Sequence, residues 1–231
     1  MLLFRLHDPP TQRSMPGNYA YLADYDDSDA EKIRHVSSHL ACFHGGNWLF
    51  GRSLLHYFRI LYWQVDRWEA FGQSDNCRHW FTISRRMLEY ICVNQVCQIF
   101  HSLPLTLPSI ALQSTGIGPE RFAFISADGG YTGGKGPVSS QLNFNAEHGF
   151  YITAPDYVLR PEVLESNFYA WRVTGNTTYL DRAALAVTKF EEYLKVKETG
   201  GYGGLYDVDS INSKRIDDTE SFWYAEVLKY L

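Results

Sequence analysis

The chain has 231 residues, of which 45% are hydrophobic and 20% charged, and its formal net charge is −5. This length and composition suit one globular domain with a sizeable core. The negative charge and the lack of a basic stripe argue against a nucleic-acid partner. No uncharged run is long enough to span a membrane, and Arg5, His7 and Asp8 interrupt the apolar start, which does not resemble a signal peptide.

The first hundred residues are predicted to contain a short helix or turn followed by two longer helices. The acidic, polar residues 22–35 predict a short helix or turn. A long helix entered through HLACFHGGN is predicted over Ser37–Tyr62, and apolar positions predict another over about Ile83–Phe100. The pair Gly45-Gly46 in the first of these would let another backbone or a ligand approach closely.

The second half alternates glycine-rich loops with helices. Residues 121–148 contain five glycines and predict loops or short strands. Helices are predicted for Tyr157–Gly175, for Thr178–Val196 and for about Asp218–Leu231, the last capped by Asp217 or Asp218. This alternation is typical of an all-α toroid with Gly-rich loops and short β-hairpins.

The segment YVLRPEVLESNFYAWRVTG, Tyr157–Gly175, holds the clearest helix. Pro161 suits a first helical turn, and Gly175 suits the C-cap. Glu162 and Glu165 stand one turn apart beside Arg160, so both carboxylates share a face. Such a group could cleave a sugar, but it could equally be a charge cluster favoured by the helix dipole, and spacing alone favours the second interpretation.

Glycoside hydrolysis needs two carboxyl groups, and several acidic residues lie among aromatic ones. These candidates are Glu120, Glu162, Glu165, Glu220 and Glu226. Glu226 follows Phe222 by four residues and so shares a helix face with an aromatic ring. That placement indicates either a site or an ordinary surface carboxylate of an amphipathic helix, and spacing leaves both open.

Four motifs in order carry a family resemblance. They are HLACF-x-GG at His39–Gly46, TGIGPE at Thr115–Glu120, LRPEVLES-x-x-YAWRVTG at Leu159–Gly175 and ESFWYAEVLKY at Glu220–Tyr230. From about Leu22 to Leu231 the chain resembles the class I α-mannosidases, glycoside hydrolase family 47. The resemblance implies an (α/α)7 barrel.

The resemblance also implies an activity and a set of roles. Members of this family are inverting, calcium-dependent exo-α-1,2-mannosidases that act on high-mannose N-glycans. Glu162 matches the general base, and Glu162 and Glu226 match residues that hold Ca²⁺ through water. The residues that match the mannose-binding pocket are His39, Glu120, Arg160, Glu165, Phe222 and Glu226. A histidine at the start of a helix is more often structural, which leaves a second interpretation for His39.

The family also implies a compartment and two modifications. Cys42 matches a cysteine that pairs with one in the helix before TGIGPE, here Cys97 or, as the alternative, Cys92. Buried free thiols are the other interpretation of these cysteines. A disulfide requires an oxidising compartment, which agrees with the family's location in the endoplasmic reticulum or Golgi, or with secretion. Asn176 begins an Asn-Thr-Thr glycosylation sequon.

The sequence departs from the family pattern in three places. Residues 103–114 are predicted to be an insertion relative to the family. The family's general-acid Glu and an essential Asp precede HLACF in segments not found here, and its TEAHP motif, whose Thr binds calcium directly, would follow Leu231. We therefore expect residues 1–231 to form one partial catalytic domain, the C-terminal half of the barrel, inactive alone. The alternative is a non-catalytic mannose- or glycoprotein-binding protein on the same toroid.

Overall fold

The computed structural model describes residues 12–15, 20–21, 24–26, 29–43, 46, 114–126 and 135–231. Within these residues, eight short strands form three antiparallel sheets with strand orders β2-β1-β7, β3-β4 and β5-β6-β8. The strands are β1 Gln12–Met15, β2 Ala20–Tyr21, β3 Asp24–Asp26, β4 Asp29–Arg34, β5 Val36–Ser38, β6 Arg121–Ala123, β7 Ile125–Ser126 and β8 Tyr151–Ala154.

The described helices lie mainly after residue 140. Helix α1 spans Leu142–His148, α2 spans Glu162–Thr174 and α3 spans Thr178–Lys189. Helix α3 continues into a π-helical turn, Phe190–Leu194. The last helix, α4, covers residues 221–230, and its centre is a π-helical turn, Trp223–Val227. Short 3₁₀ turns occur at Leu40–Cys42 and Ser139–Gln141.

The β5-β6-β8 sheet brings distant parts of the chain together. Strand β5 pairs with β6 so that Val36 faces Ala123, and β6 pairs with β8 so that Ala123 faces Tyr151. Strand β5 leads into the turn after His39, and β8 leads towards the start of α2. The sheet therefore sets His39 and the turn after it beside the N-terminus of α2.

One buried core lies between α2, α3, α4 and the loop segments. Its largest members include Tyr157, Phe190 and Trp223, and the ring of Phe190 stacks on Tyr157 and meets Trp223 edge-on. Phe190 and Leu194 of the α3 region are buried, as the apolar periodicity of Thr178–Val196 predicts. Leu180, Ala184 and Val187, which the same periodicity places on the apolar side, are exposed, and Ala183 and Ala186 are buried instead. This core holds the start of α2 in place.

The helix predictions of the second half are confirmed for α2 and α3, but three other predictions are wrong. Residues 24–26 and 29–34 form the β3-β4 pair, not a helix or turn. The helix predicted from Ser37 does not begin there, because residues 36–38 pair with β6 and a 3₁₀ turn follows; Phe43 and Gly46 are α-helical, and the other residues from 44 to 62 lie outside the described residues. Helix α1 occupies part of 121–148, where loops or strands were expected, although β6 and β7 are indeed short strands.

Two predicted caps have different outcomes. Gly175 ends α2 in the left-handed conformation (φ 70°), as expected. Helix α4 begins at residue 221, so neither Asp217 nor Asp218 caps it. The predicted helix over 83–100, the insertion at 103–114 apart from Ser114, and Gly45 lie outside the described residues. Among the residues that are described, no helix is both long and apolar enough to span a bilayer.

Replacing Gly175 with Ala is expected to lower the free energy of unfolding by about 1 kcal/mol. An added Cβ at this position meets no atom within 4 Å, so the cost comes from the left-handed backbone and not from a clash. Gly175→Asn should cost less, because Asn tolerates this conformation. Urea unfolding of both variants measures the difference, and equal losses would contradict the conformational explanation.

Candidate functional site

The segment that leads into α2 is held by backbone pairing. The N–H of Tyr157 donates to the carbonyl of Leu205 (2.9 Å), and the N–H of Leu205 donates back to the carbonyl of Tyr157 (2.9 Å). Two residues later Leu159 is fully buried with φ 63°, the left-handed region that non-glycine residues rarely adopt. A strained, over-determined backbone of this kind is typical of functional sites.

Glu120 holds this segment from the opposite side. Its Oε1 accepts the backbone N–H of Val158 (3.2 Å), and its Oε2 accepts Nε–H of Arg160 (2.5 Å). The side chain of Glu120 is nearly buried. A carboxylate that accepts both a backbone and a guanidinium donor fixes the direction of the Arg160 side chain.

The carboxylate of Glu162 lies between two basic groups at the first residue of α2. Its Oε2 is 3.2 Å from Nδ1 of His39, and its Oε1 is 3.7 Å from an Nη of Arg160. Glu162 is only 6% exposed. The ring of His39 rests against Tyr157 with its centroid 5.5 Å away. The pair is therefore a buried carboxylate–imidazole contact at a helix N-terminus, where negative charge is also favoured by the dipole.

The opposite charges of this cluster stabilise the ionised forms of Glu162 and Arg160. Burial would raise the pKa of Glu162, but the hydrogen bond and charge of His39, with Arg160, hold this pKa below its usual value. Burial would lower the pKa of Arg160, but the Glu120 carboxylate, with Glu162 and Glu220, raises it. Glu162 is thus ionised at neutral pH, the form that a general base requires.

The other side of the cluster is formed by α4. The guanidinium carbon of Arg160 lies 5.8 Å from the ring centroid of Phe222. The hydroxyl of Tyr230 donates to Oε1 of Glu165 (3.2 Å). Burial is the largest cause that raises the pKa of Glu165; the Tyr230 hydrogen bond opposes it, and the nearby charges of Glu226 and Glu162 add to it.

This raised pKa predicts a pH-dependent stability difference between the wild type and Glu165→Gln. Because the folded state binds the Glu165 proton more tightly than the unfolded state, the contribution is fully present below the unfolded pKa of about 4.3 and is lost as pH rises through the folded value. The Tm of the wild type should therefore rise relative to that of Glu165→Gln as pH falls from about 7 to about 4. A Tm difference that is constant with pH, or grows towards neutral pH, would contradict this.

The structure brings the predicted site residues together around the start of α2. Direct contacts join His39, Glu162, Arg160 and Glu120, and the ring of Phe222 follows through Arg160. Glu165 and Glu226 interact electrostatically beside them. Sequence reasoning did not find Tyr157, Ser166 or Tyr230, which have no charge or helical period to mark them, although all three lie inside the matched motifs or next to one.

A small cavity borders this cluster. His39 and Arg160 line it with mainly apolar neighbours, including Tyr157, Leu164 and Phe190. It has about 20 Å³ of room for solvent, which is the space of one water molecule. Glu162, Phe222 and Glu226 do not line it. The cavity is therefore separate from the carboxylate group that the sequence indicates as a sugar site.

Three further predictions concern a metal, a disulfide and a glycan. Within the described segments no group of three or more His, Cys, Asp or Glu residues could hold a metal ion. The described cysteine is Cys42, which is buried, while Cys92 and Cys97 lie outside the described residues. Asn176 is exposed, and its Oδ1 accepts the N–H of Thr178 (3.0 Å).

The arrangement defines a candidate acid–base site: a buried, ionised carboxylate at a helix N-terminus, oriented by an imidazole and a guanidinium. Comparison with known proteins identifies the family of the chain. The profile of glycosyl hydrolase family 47 matches residues 6–231. The chain belongs to that family.

Individual relatives agree with this assignment. The chain is 33% identical over 211 residues to mannosyl-oligosaccharide alpha-1,2-mannosidase 1B of Aspergillus phoenicis, covering 91% of this chain and 32% of the relative. It is equally similar to the enzyme of the same name from Emericella nidulans, with the same coverage. An alpha-1,2-mannosidase structure from Trichoderma reesei superposes with a TM-score of 0.68 and 31% identity over 95% of this chain and 37% of that one. The chain thus spans about a third of the length of these relatives.

Proposed function

We propose that this chain is part of a glycosidase that removes terminal α-1,2-linked mannose from high-mannose N-glycans by an inverting mechanism. The observation that supports this most is the buried contact between His39 and the Glu162 carboxylate beside Arg160. In this proposal Glu162 is the general base, which takes a proton from the water that attacks the sugar. The relatives' names supply the mannose linkage and the oligosaccharide substrate.

The neighbouring side chains orient the substrate in this proposal. Within the described part of the chain, Nδ1 of His39 contacts Glu162, and no bond engages Nε2, which leaves that nitrogen for a sugar hydroxyl. Phe222 offers a ring next to Arg160 on which an apolar sugar face can pack. Glu165 and Glu226 add carboxylates that can accept hydroxyl protons, and Glu120 acts through the Arg160 that it holds.

The remaining parts of the proposal concern calcium, the fold and the compartment. Calcium prefers oxygen ligands and accepts bridging waters. The carboxylates of Glu162 and Glu226 therefore suit a hydrated ion that they would hold through water molecules. When bound, such an ion would supply positive charge near the reacting water. The proposal also includes an (α/α)7 barrel with 1–231 as a partial domain and 103–114 as an insertion. It adds a Cys42–Cys97 disulfide, glycosylation at Asn176, and residence in the endoplasmic reticulum or Golgi, or secretion.

The test uses two proteins and the disaccharide Man-α-1,2-Man. The 231-residue chain alone should release no mannose, because the proposal assigns it one of the two catalytic carboxyl groups. A chimera, in which this chain replaces the matching stretch of the Trichoderma reesei enzyme, should release mannose. Binding of the disaccharide without turnover in an otherwise folded chimera would favour the non-catalytic mannose-binding alternative instead.

A further inference from the structure

Ser166 joins two parts of the site that are far apart in sequence. It lies one turn after Glu162 on α2 and is 1% exposed. Its hydroxyl donates to the carbonyl of Cys42 and accepts the backbone N–H of Gly46, with a donor–acceptor distance of 2.9 Å. One side chain of α2 thus binds the segment after His39 at two backbone positions.

This use of a helical hydroxyl is different from that of its neighbours. Thr174 in α2 donates to the carbonyl of Ala170, and Thr188 in α3 donates to the carbonyl of Ala184, each four residues back in its own helix. That pattern is the ordinary local bond of a hydroxyl within a helix. The hydroxyl of Ser166 forms its bonds outside the helix, and so acts between elements.

The fit at Gly46 is tight enough to fix the distance between the two elements. A Cβ on Gly46 would lie 2.9 Å from Cδ2 of Tyr169 and 3.3 Å from Cα of Ser166. The backbone of Gly46 therefore touches α2 itself, which glycine alone allows. This is the close approach that the glycine pair in the sequence indicates, and the partner is α2.

The other end of the turn is also fixed. The N–H of His39 donates to the carbonyl of Glu120 (3.0 Å), and the N–H of Cys42 donates to the carbonyl of His39 (3.0 Å). His39 is therefore held by Glu120 on its N-terminal side and, through the turn Leu40–Cys42, by Ser166 on its C-terminal side. Between these two fixed ends the imidazole meets Glu162.

We propose that Ser166 is a positioning residue, which sets the His39 imidazole against the Glu162 carboxylate by binding the turn after His39 to the helix that begins at Glu162. The consequence for catalysis rests on the proposed function. The geometric consequence is independent of it, since it concerns only where the imidazole of His39 lies.

The experiment measures the imidazole of His39 directly in the 231-residue chain. Long-range ¹H–¹⁵N spectra record the histidine rings, and the loss of one set of signals in His39→Gln identifies those of His39. In Ser166→Ala the His39 signals should shift towards those of an imidazole without a carboxylate partner, while the other histidines keep their positions. Gly46→Ala, which pushes the same contact apart from the opposite side, should shift the same signals, and it remains informative if Ser166→Ala does not fold.

Two matched variants separate positioning from stability. Thr174→Ala removes a hydroxyl from the same helix, and Ala170→Gly weakens that helix at a buried position; both should leave the His39 signals unchanged. The proposal would be overturned if Ser166→Ala lowered Tm as much as Ala170→Gly does but left the His39 signals unchanged. In the chimera, Ser166→Ala should lower kcat/KM about tenfold and Thr174→Ala should not. A chimera that lacks turnover would defeat the proposed function but leave the ring measurement valid.

Discussion

Replacing Glu162 with Gln in the chimera is expected to lower kcat by about a thousandfold, within the range that general acid–base groups contribute. Gln keeps the shape of the side chain and can still contact His39, but it cannot accept a proton from water. Because the pKa of Glu162 is held low by His39 and Arg160, the wild-type carboxylate is ionised across the neutral range, so the loss should be present at every pH near neutrality.

The matched control is Glu192→Gln. Glu192 lies on the exposed side of the π-helical turn after α3, where it accepts from Lys189 (2.9 Å) and lies away from the Glu162 cluster. The change in charge is the same, and exposed pairs of this kind contribute little to stability. A kcat for Glu162→Gln within tenfold of that of Glu192→Gln would mean that another group takes the proton.

The helix that contains Glu162 could be predicted from the sequence because its signals are local. Gly175 marks its end, and the three-residue spacing of Glu162 and Glu165 sets which carboxylates share a face. Helix α3 could also be predicted as a helix, but its buried face could not: the predicted apolar side is buried only at Phe190 and Leu194. Pro161 proves to lie just before the first helical residue, and its carbonyl accepts the N–H of Glu165 (2.8 Å).

The strands before His39 could not be predicted because their pairing is not local. Val36 pairs with Ala123, which is distant in the sequence, and residues 36–38 have no alternation of their own that would mark a strand. The polar residues 29–34 likewise form a strand only through the adjacent β3. Tertiary pairing decides both, so a helix predicted from Ser37 began too early.

For the site, the sequence could name charged residues but not the contacts that orient them. His39 and Glu162 belong to different motifs, and neither motif indicates that the two side chains are in contact. The contact depends on uncharged groups: the hydroxyl of Ser166, the left-handed backbone of Leu159 and the glycine at position 46. Such positions become visible only when the backbone is known, because their role is geometric.

The second large effect is expected on stability, from Gly204→Ala. A Cβ at Gly204 would overlap the carbonyl oxygen of Tyr157 and lie 3.3 Å from both Cδ1 of Ile216 and Cα of Val158. The Tyr157 oxygen cannot retreat easily, because it accepts the N–H of Leu205 (2.9 Å) and Tyr157 itself is fully packed in the core. We expect a loss of about 3 kcal/mol in the free energy of unfolding, the upper range for overpacking.

Gly201→Ala is the matched control, since it makes the same change in the same glycine-rich segment. The nearest atom to a Cβ at Gly201 is Oγ1 of Thr199, at an ordinary contact distance of 3.4 Å, so its unfolding free energy should stay within about 0.5 kcal/mol of the wild type. Urea unfolding compares the two variants. Equal stabilities would contradict the pairing of Tyr157 with Leu205. A large loss of unfolding free energy in Gly204→Ala alone would support this pairing. It would also support the placement of Arg160, whose carbonyl accepts a hydrogen bond from the hydroxyl of Tyr157 (3.0 Å).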